Sequence, residues 1–488
     1  MPINFIPNDP KAGAAAPAIR VKSSRPNRPA SRSGFTFTNT APDGAFAPGT
    51  PQFLFWQCRE AAIAALGAWE TSAGNHTRWQ GNRKKLPLRQ DAGVDLNAFY
   101  NRQTFSFFHD TVGGQTFFSG ASTDVVAHEV GHGLLDSVRP DFFSVNFLEV
   151  GAFHEAFGDC MALLTALSDS ETQQKLLAAA PGLRKRNFVE STAEDLSFAI
   201  GLAIPGHNAA EPRHAFNKFQ YQLPNTLPSN GGPGALINEE HSFGMLFTGC
   251  FWELLANLFA AAPSQTEVTL ASSAALAGKI LIAGARQALI TPRFLQSVGR
   301  AMVLADQSLN GGANRTHISN AFQAHNILLG SNALVAPSAS LAGGAPKGAA
   351  VSTATKKDLA SRMGATRGAK LATTAAGAMV DVAHAREISL TGLDKSLKGV
   401  VCLGHDVARV GESGGRAAVM GAMPHRDETD LEVRAYVQTL LEHDRIEMEA
   451  PKSAVRSRAV AAKAKPKSHA IKAVRGKKML VRVCYQCG

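Results

Sequence analysis

The stretch "VVAHEVGHGLLD", residues 125–136, decides how the rest of the chain is read. Positions four apart on a helix share one face, so His128 and His132 can both aim an imidazole nitrogen at a single tetrahedral metal ion. Glu129 is rotated by about 100° from His128, which lets it address a bound water instead of the ion. Chance alone produces H-E-x-x-H in about one chain of this size per hundred, so the motif needs further ligands before it carries weight. The bland alternative is a solvated helix face.

A catalytic zinc takes three protein ligands and keeps a fourth position for water. The segment "GAFHEAFGDC", residues 151–160, supplies Glu155, and one turn later on the same face Asp159, where a carboxylate can accept the second ring N–H of a zinc-bound histidine. His154 is a rival ligand by chemistry, and a polar flank on the helix is the plainer reading of it.

H-E-x-x-H followed by G-A-x-x-E-A-x-x-D resembles the thermolysin family of zinc metallopeptidases, with the fungalysins as relatives. The resemblance implies Zn2+ on His128, His132 and Glu155, with Asp159 behind a ligand histidine. Three other stretches are similar to that family. "NAFY", residues 97–100, resembles an edge strand that holds a peptide by main-chain hydrogen bonds, through Asn97 and Ala98. "NEEHSFGMLFTGCFWELL", residues 238–255, resembles the helix carrying an oxyanion-stabilising histidine, here His241, its ring held by Glu239 or Glu240. "EPRHAFN", residues 211–217, resembles the segment whose arginine, here Arg213, binds a substrate carbonyl. Val125, one turn before Glu129, matches a residue lining the pocket for the side chain on the amino side of the new terminus, so an apolar preference is expected there. The closing helices, "FLQSVGRAMVLADQSLNGGANRTHISNAFQAHNIL", complete a likeness covering about residues 90–329.

Two departures stand out. The family places a tyrosine ahead of the glutamate ligand, whereas "RPDFFSVNFLEVGAFHE" offers Asn146 and Phe147. Family members usually carry a signal peptide and a long inhibitory prodomain, and the start of this chain shows neither, so cytoplasmic location or a nonclassical export route is expected. Calcium sites are common in such enzymes, so the resemblance leaves room for Ca2+ as a second cofactor, but clustered oxygen ligands at the required spacings map to no residues here.

Composition is that of a globular chain of several domains: 488 residues, 45% hydrophobic. Six scattered cysteines do not form a disulfide framework. No apolar run reaches the roughly 18 residues of a membrane helix, so no membrane span is expected. Ten Lys or Arg and no acid lie between Pro451 and Lys478, leaving about +1 of the formal +11 for the rest. That segment lacks interleaved aromatics, so a solvated flexible loop is favoured over a surface for nucleic acid or anionic membranes.

The expected fold is α+β: a thermolysin-like catalytic unit with a small sheet and a zinc-binding helix, then a mainly helical lobe, with a small extra C-terminal α/β region. Residues 1–50, rich in Pro, Ala, Ser and Arg, read as a disordered arm. Residues 51–165 form the N-terminal catalytic subdomain and 166–330 the helical one. Residues 331–357 read as a linker, and 358–488 as a small region with a flexible basic insertion at 451–467. In that region "RGKK" could turn a hairpin, and the terminal "CYQC" lacks any partner pair, so an incidental or structural role is expected for it.

The function expected is a zinc-dependent endopeptidase acting on a protein or peptide, with Glu129 as general base. The alternatives are a zinc-binding protein without turnover, and a binding role for the basic segment.

Overall fold

The computed structural model describes residues 1–330, 351–363, 365, 371–376, 379–413, 416–420, 426–448 and 467–487. The chain is α+β. Its helices are α1 (Pro51–Ala73), α2 (Thr123–Val138), α3 (Leu148–Ala166), α4 (Ser170–Ala179), α5 (Glu194–Ala203), α6 (Glu240–Ala261), α7 (Glu267–Gln287), α8 (Phe294–Asn310), α9 (Arg315–Gln323), α10 (Thr353–Arg362) and α11 (Arg426–Glu442). The strands of the first half are β1 (Pro2–Phe5), β2 (Arg20–Ser23), β3 (Gly34–Phe37), β4 (Lys85–Arg89), β5 (Ala98–Tyr100), β6 (Phe105–Phe107), β7 (His109–Val112), β8 (Gln115–Phe118), β9 (Ser191–Thr192) and β10 (Arg213–His214). Those of the second half are β11 (Ala372–Ala376), β12 (Met379–Ser389), β13 (Val400–Ser413), β14 (Arg416–Met420), β15 (Ile446–Glu447), β16 (His469–Val474), β17 (Lys477–Arg482) and β18 (Tyr485–Gln486).

Helix α3 is the centre of the molecule, buried at every one of its residues, with α2, α6 and α8 packed around it. Two crossing glycines set how close α2 and α3 come. A Cβ on Gly131 would lie 2.9 Å from Gly158 Cα, and one on Gly158 would lie 2.7 Å from the His128 ring. The small residues therefore let the histidine helix lie directly against the helix that carries Glu155 and Asp159.

The sheet beside α2 runs β18-β5-β6-β4-β3. Strands β3, β4 and β6 are parallel, while β5 and β18 are antiparallel to their neighbours. A second sheet, β11-β12-β13-β17-β16-β15 with β14 paired to β13, belongs to the later region. Between β16 and β17, Arg475 and Gly476 both adopt positive φ, 49° and 78°, as a two-residue hairpin turn requires, so the expected hairpin forms.

The first 50 residues correct the reading of a disordered arm: they carry β1, β2 and β3, and Ile3 and Phe5 are buried. Their arginines are partners of buried or partly buried acids. Lys22 and Arg25 reach the fully buried Glu60 of α1, at 2.9 and 3.2 Å, and Arg28 and Arg32 clamp Glu70 at 2.6 and 2.7 Å. Of the expected linker, 331–350 lies outside the described residues, and 353–357 opens α10. Most of the basic insertion likewise lies outside them.

Allowing a few polar positions, α6 and α7 are long and apolar enough to cross a membrane by length and composition, but 83% and 56% of their apolar windows are buried against the rest of the chain.

Candidate functional site

Ser122 caps α2 by accepting the Val125 N–H at 3.2 Å, which fixes the start of the helix one turn ahead of His128. From there the helical period brings His128 and His132 to the face that meets α3. Glu155 Oε2 lies 3.1 Å from His128 Nε2 and 3.6 Å from His132 Nε2. Ligand atoms bonded at ~2.0–2.1 Å to one tetrahedral ion stand about 3.3 Å apart, and both Glu155–histidine distances lie near that value.

The donors are oriented from behind. His128 Nδ1–H donates to Asp159 Oδ1 at 2.8 Å, which leaves Nε2 as the ligand atom. His132 Nδ1 shares a proton with His154 Nδ1 at 2.9 Å, so His154 stands behind the His132 ring. Burial lowers His132 to about 4, which keeps its imidazole neutral. Burial would raise Asp159, but Arg213 and His128 outweigh it and hold the carboxyl at about 2.

Glu129 is fully buried and, among the described residues, neither of its carboxylate oxygens has a hydrogen-bond partner. His132 Nε2 and Glu155 Oε1 are also buried without one. Unmet polar atoms in such number are costly unless a ligand answers them. Donor atoms of His128, Glu129 and His132 lie within 4.8 Å of one another, an arrangement that could hold a metal ion. Burial pushes Glu129 up to about 8, the range in which a carboxylate can take and return a proton near neutrality.

The remaining site residues named from sequence fall around this cluster. His241, at the start of α6, has Nε2 3.2 Å from Glu155 Oε2 and Nδ1 2.8 Å from Glu239 Oε1. Burial opposes its cation, but Glu155 and Glu239 raise it to about 9. Arg213 on β10 bonds Asp159 at 3.0 and 3.1 Å. Asn97 accepts the Ala98 N–H at 2.9 Å at the head of β5. Val125, Asn97, Phe108, Phe117 and Leu196 line a small cavity beside the cluster.

Three features were missed in the sequence. His154 was set aside as a flank. Residues 485–487 run into the cleft, with Tyr485 stacked on His154 and His132 at 3.8 and 4.9 Å between ring centroids. Carboxylate oxygens of Asp9, Asp124 and Glu194 lie within 4.8 Å of one another and could hold a cation. Asp124, one turn before His128, was the available signal for that cluster; its partners come from distant segments.

No protein-family model matches the chain, and no curated protein is significantly similar to it.

Proposed function

We propose that this chain is a zinc-dependent endopeptidase of the thermolysin-like type. The observation that carries the reading is the convergence of His128 and His132 on Glu155 beside a buried Glu129 whose two oxygens have no hydrogen-bond partner among the described residues. Imidazole and carboxylate donors suit zinc.

His128, His132 and Glu155 would hold a zinc ion, which when bound would supply Lewis acidity toward a water and a carbonyl. The protein's own groups do the rest. Glu129 takes the proton from the attacking water as the new C–O bond forms and the carbonyl electrons move to oxygen, then gives it to the leaving amine as the C=O is restored and the C–N bond breaks. His241, held as a cation by Glu239, donates to the carbonyl oxygen as negative charge gathers on it. Asp159 and His154 fix the two ligand rings. Strand β5 receives the substrate backbone as an added strand, and Val125 faces an apolar side chain.

Where thermolysin-like enzymes carry a tyrosine, the segment before Glu155 has Asn146 and Phe147, and the Asn146 amide donates to Leu480 O at 3.4 Å. This favours a second reading, zinc binding without turnover. A metal kept only for structure has no use for a base at Glu129. The deciding experiment is hydrolysis of an unstructured protein by the chain and by Glu129→Gln, each with its metal content measured. The peptidase reading expects turnover to fall by about 10²–10⁴-fold with metal retained; equal and measurable turnover in both would overturn it.

A further inference from the structure

The edge of β5 that an external peptide would pair with is taken by the chain itself. Strand β18 lies antiparallel to β5, Tyr485 opposite Tyr100 and Gln486 opposite Phe99. The Cys487 N–H donates to Ala98 O at 2.9 Å. His241 Nε2 donates to the Gln486 carbonyl at 2.5 Å, and Arg213 donates to the Cys487 carbonyl at 3.4 Å. Tyr485, Gln486 and Cys487 are all buried. The main chain on either side of the Gln486–Cys487 bond therefore meets the histidine, the arginine and the edge-strand carbonyl assigned above to a substrate.

This strand is held firmly from its own side. Arg482, at the end of β17, is buried against Glu240 at 3.0 Å and donates to Tyr436 Oη at 2.9 Å, and its guanidinium lies 4.2 Å from the Tyr485 ring centre. Arg445 donates to Gln486 Oε1 at 2.5 Å. These contacts join the start of α6, just before His241, to the segment that enters the cleft.

We propose that residues 485–487 are a built-in substrate mimic that closes the cleft, so that the site is latent until this strand is displaced. The proposal rests on the peptidase reading for its consequence and on the pairing with β5 for its geometry. An external peptide and this strand compete for one edge, and a tethered competitor acts at an effective concentration on the order of millimolar. Peptides at micromolar concentration are accordingly excluded.

Two variants test it: a chain ending at Val483, and Cys487→Pro in the full chain, which removes the N–H given to Ala98 while leaving the hairpin intact. A fluorescent peptide of sequence VCYQC is titrated by anisotropy into each, in a Glu129→Gln background so that nothing is cut. Metal content and hydrolysis of an unstructured protein are measured with Glu129 present. Both variants should bind the peptide at micromolar concentration where the full chain does not, and should hydrolyse at least about tenfold faster. Equal peptide binding by the full chain and both variants overturns the proposal. Selective binding by the variants, with metal present and no hydrolysis by any form, keeps the strand's role and sinks the peptidase reading instead.

Discussion

Asp159 joins two parts of the site, since it accepts from His128 Nδ1 and from the Arg213 guanidinium. Asp159→Asn would leave His128 without its anionic partner and loosen Arg213, and should weaken metal affinity by about 10–100-fold with little change in fold, as read by competition with a chelating dye. Unchanged affinity would mean that the histidine is oriented by packing alone. At this scale the site was largely legible. His128, Glu129, His132, Glu155 and Asp159 lie on two helices whose 3.6-residue period dictates which side chains share a face, and Glu239 sits within two residues of His241. His154 was not legible, because its partner His132 is on another helix and only the crossing of α2 with α3 brings their Nδ1 atoms to 2.9 Å.

That crossing is controlled by Gly131 and Gly158. Gly158→Ala would drive a methyl to within 2.7 Å of the His128 ring, at a place where neither helix can withdraw without disturbing a ligand. Overpacking of this kind typically costs ~1–3 kcal/mol. Thermal unfolding should show that loss, and metal content should fall with it. Full zinc occupancy in Gly158→Ala would show that α2 and α3 have more freedom than their spacing implies. Among the elements, the long helices and the β16–β17 hairpin were readable from periodicity and turn chemistry. Strand β18 was not: two ladder residues separated from β5 by most of the chain leave no local pattern, and "CYQC" by itself points to no more than an incidental or structural role.

At the scale of the whole molecule, the first segment folds back over the rest. The Asn8 carbonyl accepts the Thr123 N–H at 3.1 Å, and Asp9 Oδ1 accepts the Asp195 N–H at 2.9 Å, so Asp9 arrives beside Asp124 and Glu194. Its Pro and Arg content read as disorder, because composition does not reveal that these cations meet the buried Glu60 and the partly buried Glu70. Burial, and then repulsion by Glu194 and Asp9, hold Asp124 well above the usual carboxylate range, and burial with repulsion by Asp9 raises Glu194 to about 8. Groups raised in the folded state favour folding while protonated. Their contribution is complete below about pH 4 and is lost as pH rises towards about 8. In chelator, this cluster should therefore lower the melting temperature between those limits, less so in Asp124→Asn. Added Ca2+ should restore it at pH 8 in the unsubstituted chain only. An identical pH profile in Asp124→Asn would remove the cluster from the stability account.

The central claim is that α2 and α3 together build a zinc centre. Its most direct test is the zinc-to-chain ratio of the purified protein, measured beside Glu129→Gln and His132→Ala. One zinc per chain, kept in Glu129→Gln and lost in His132→Ala, is the predicted result. A chain that holds no zinc, or holds it equally well without His132, would contradict the account.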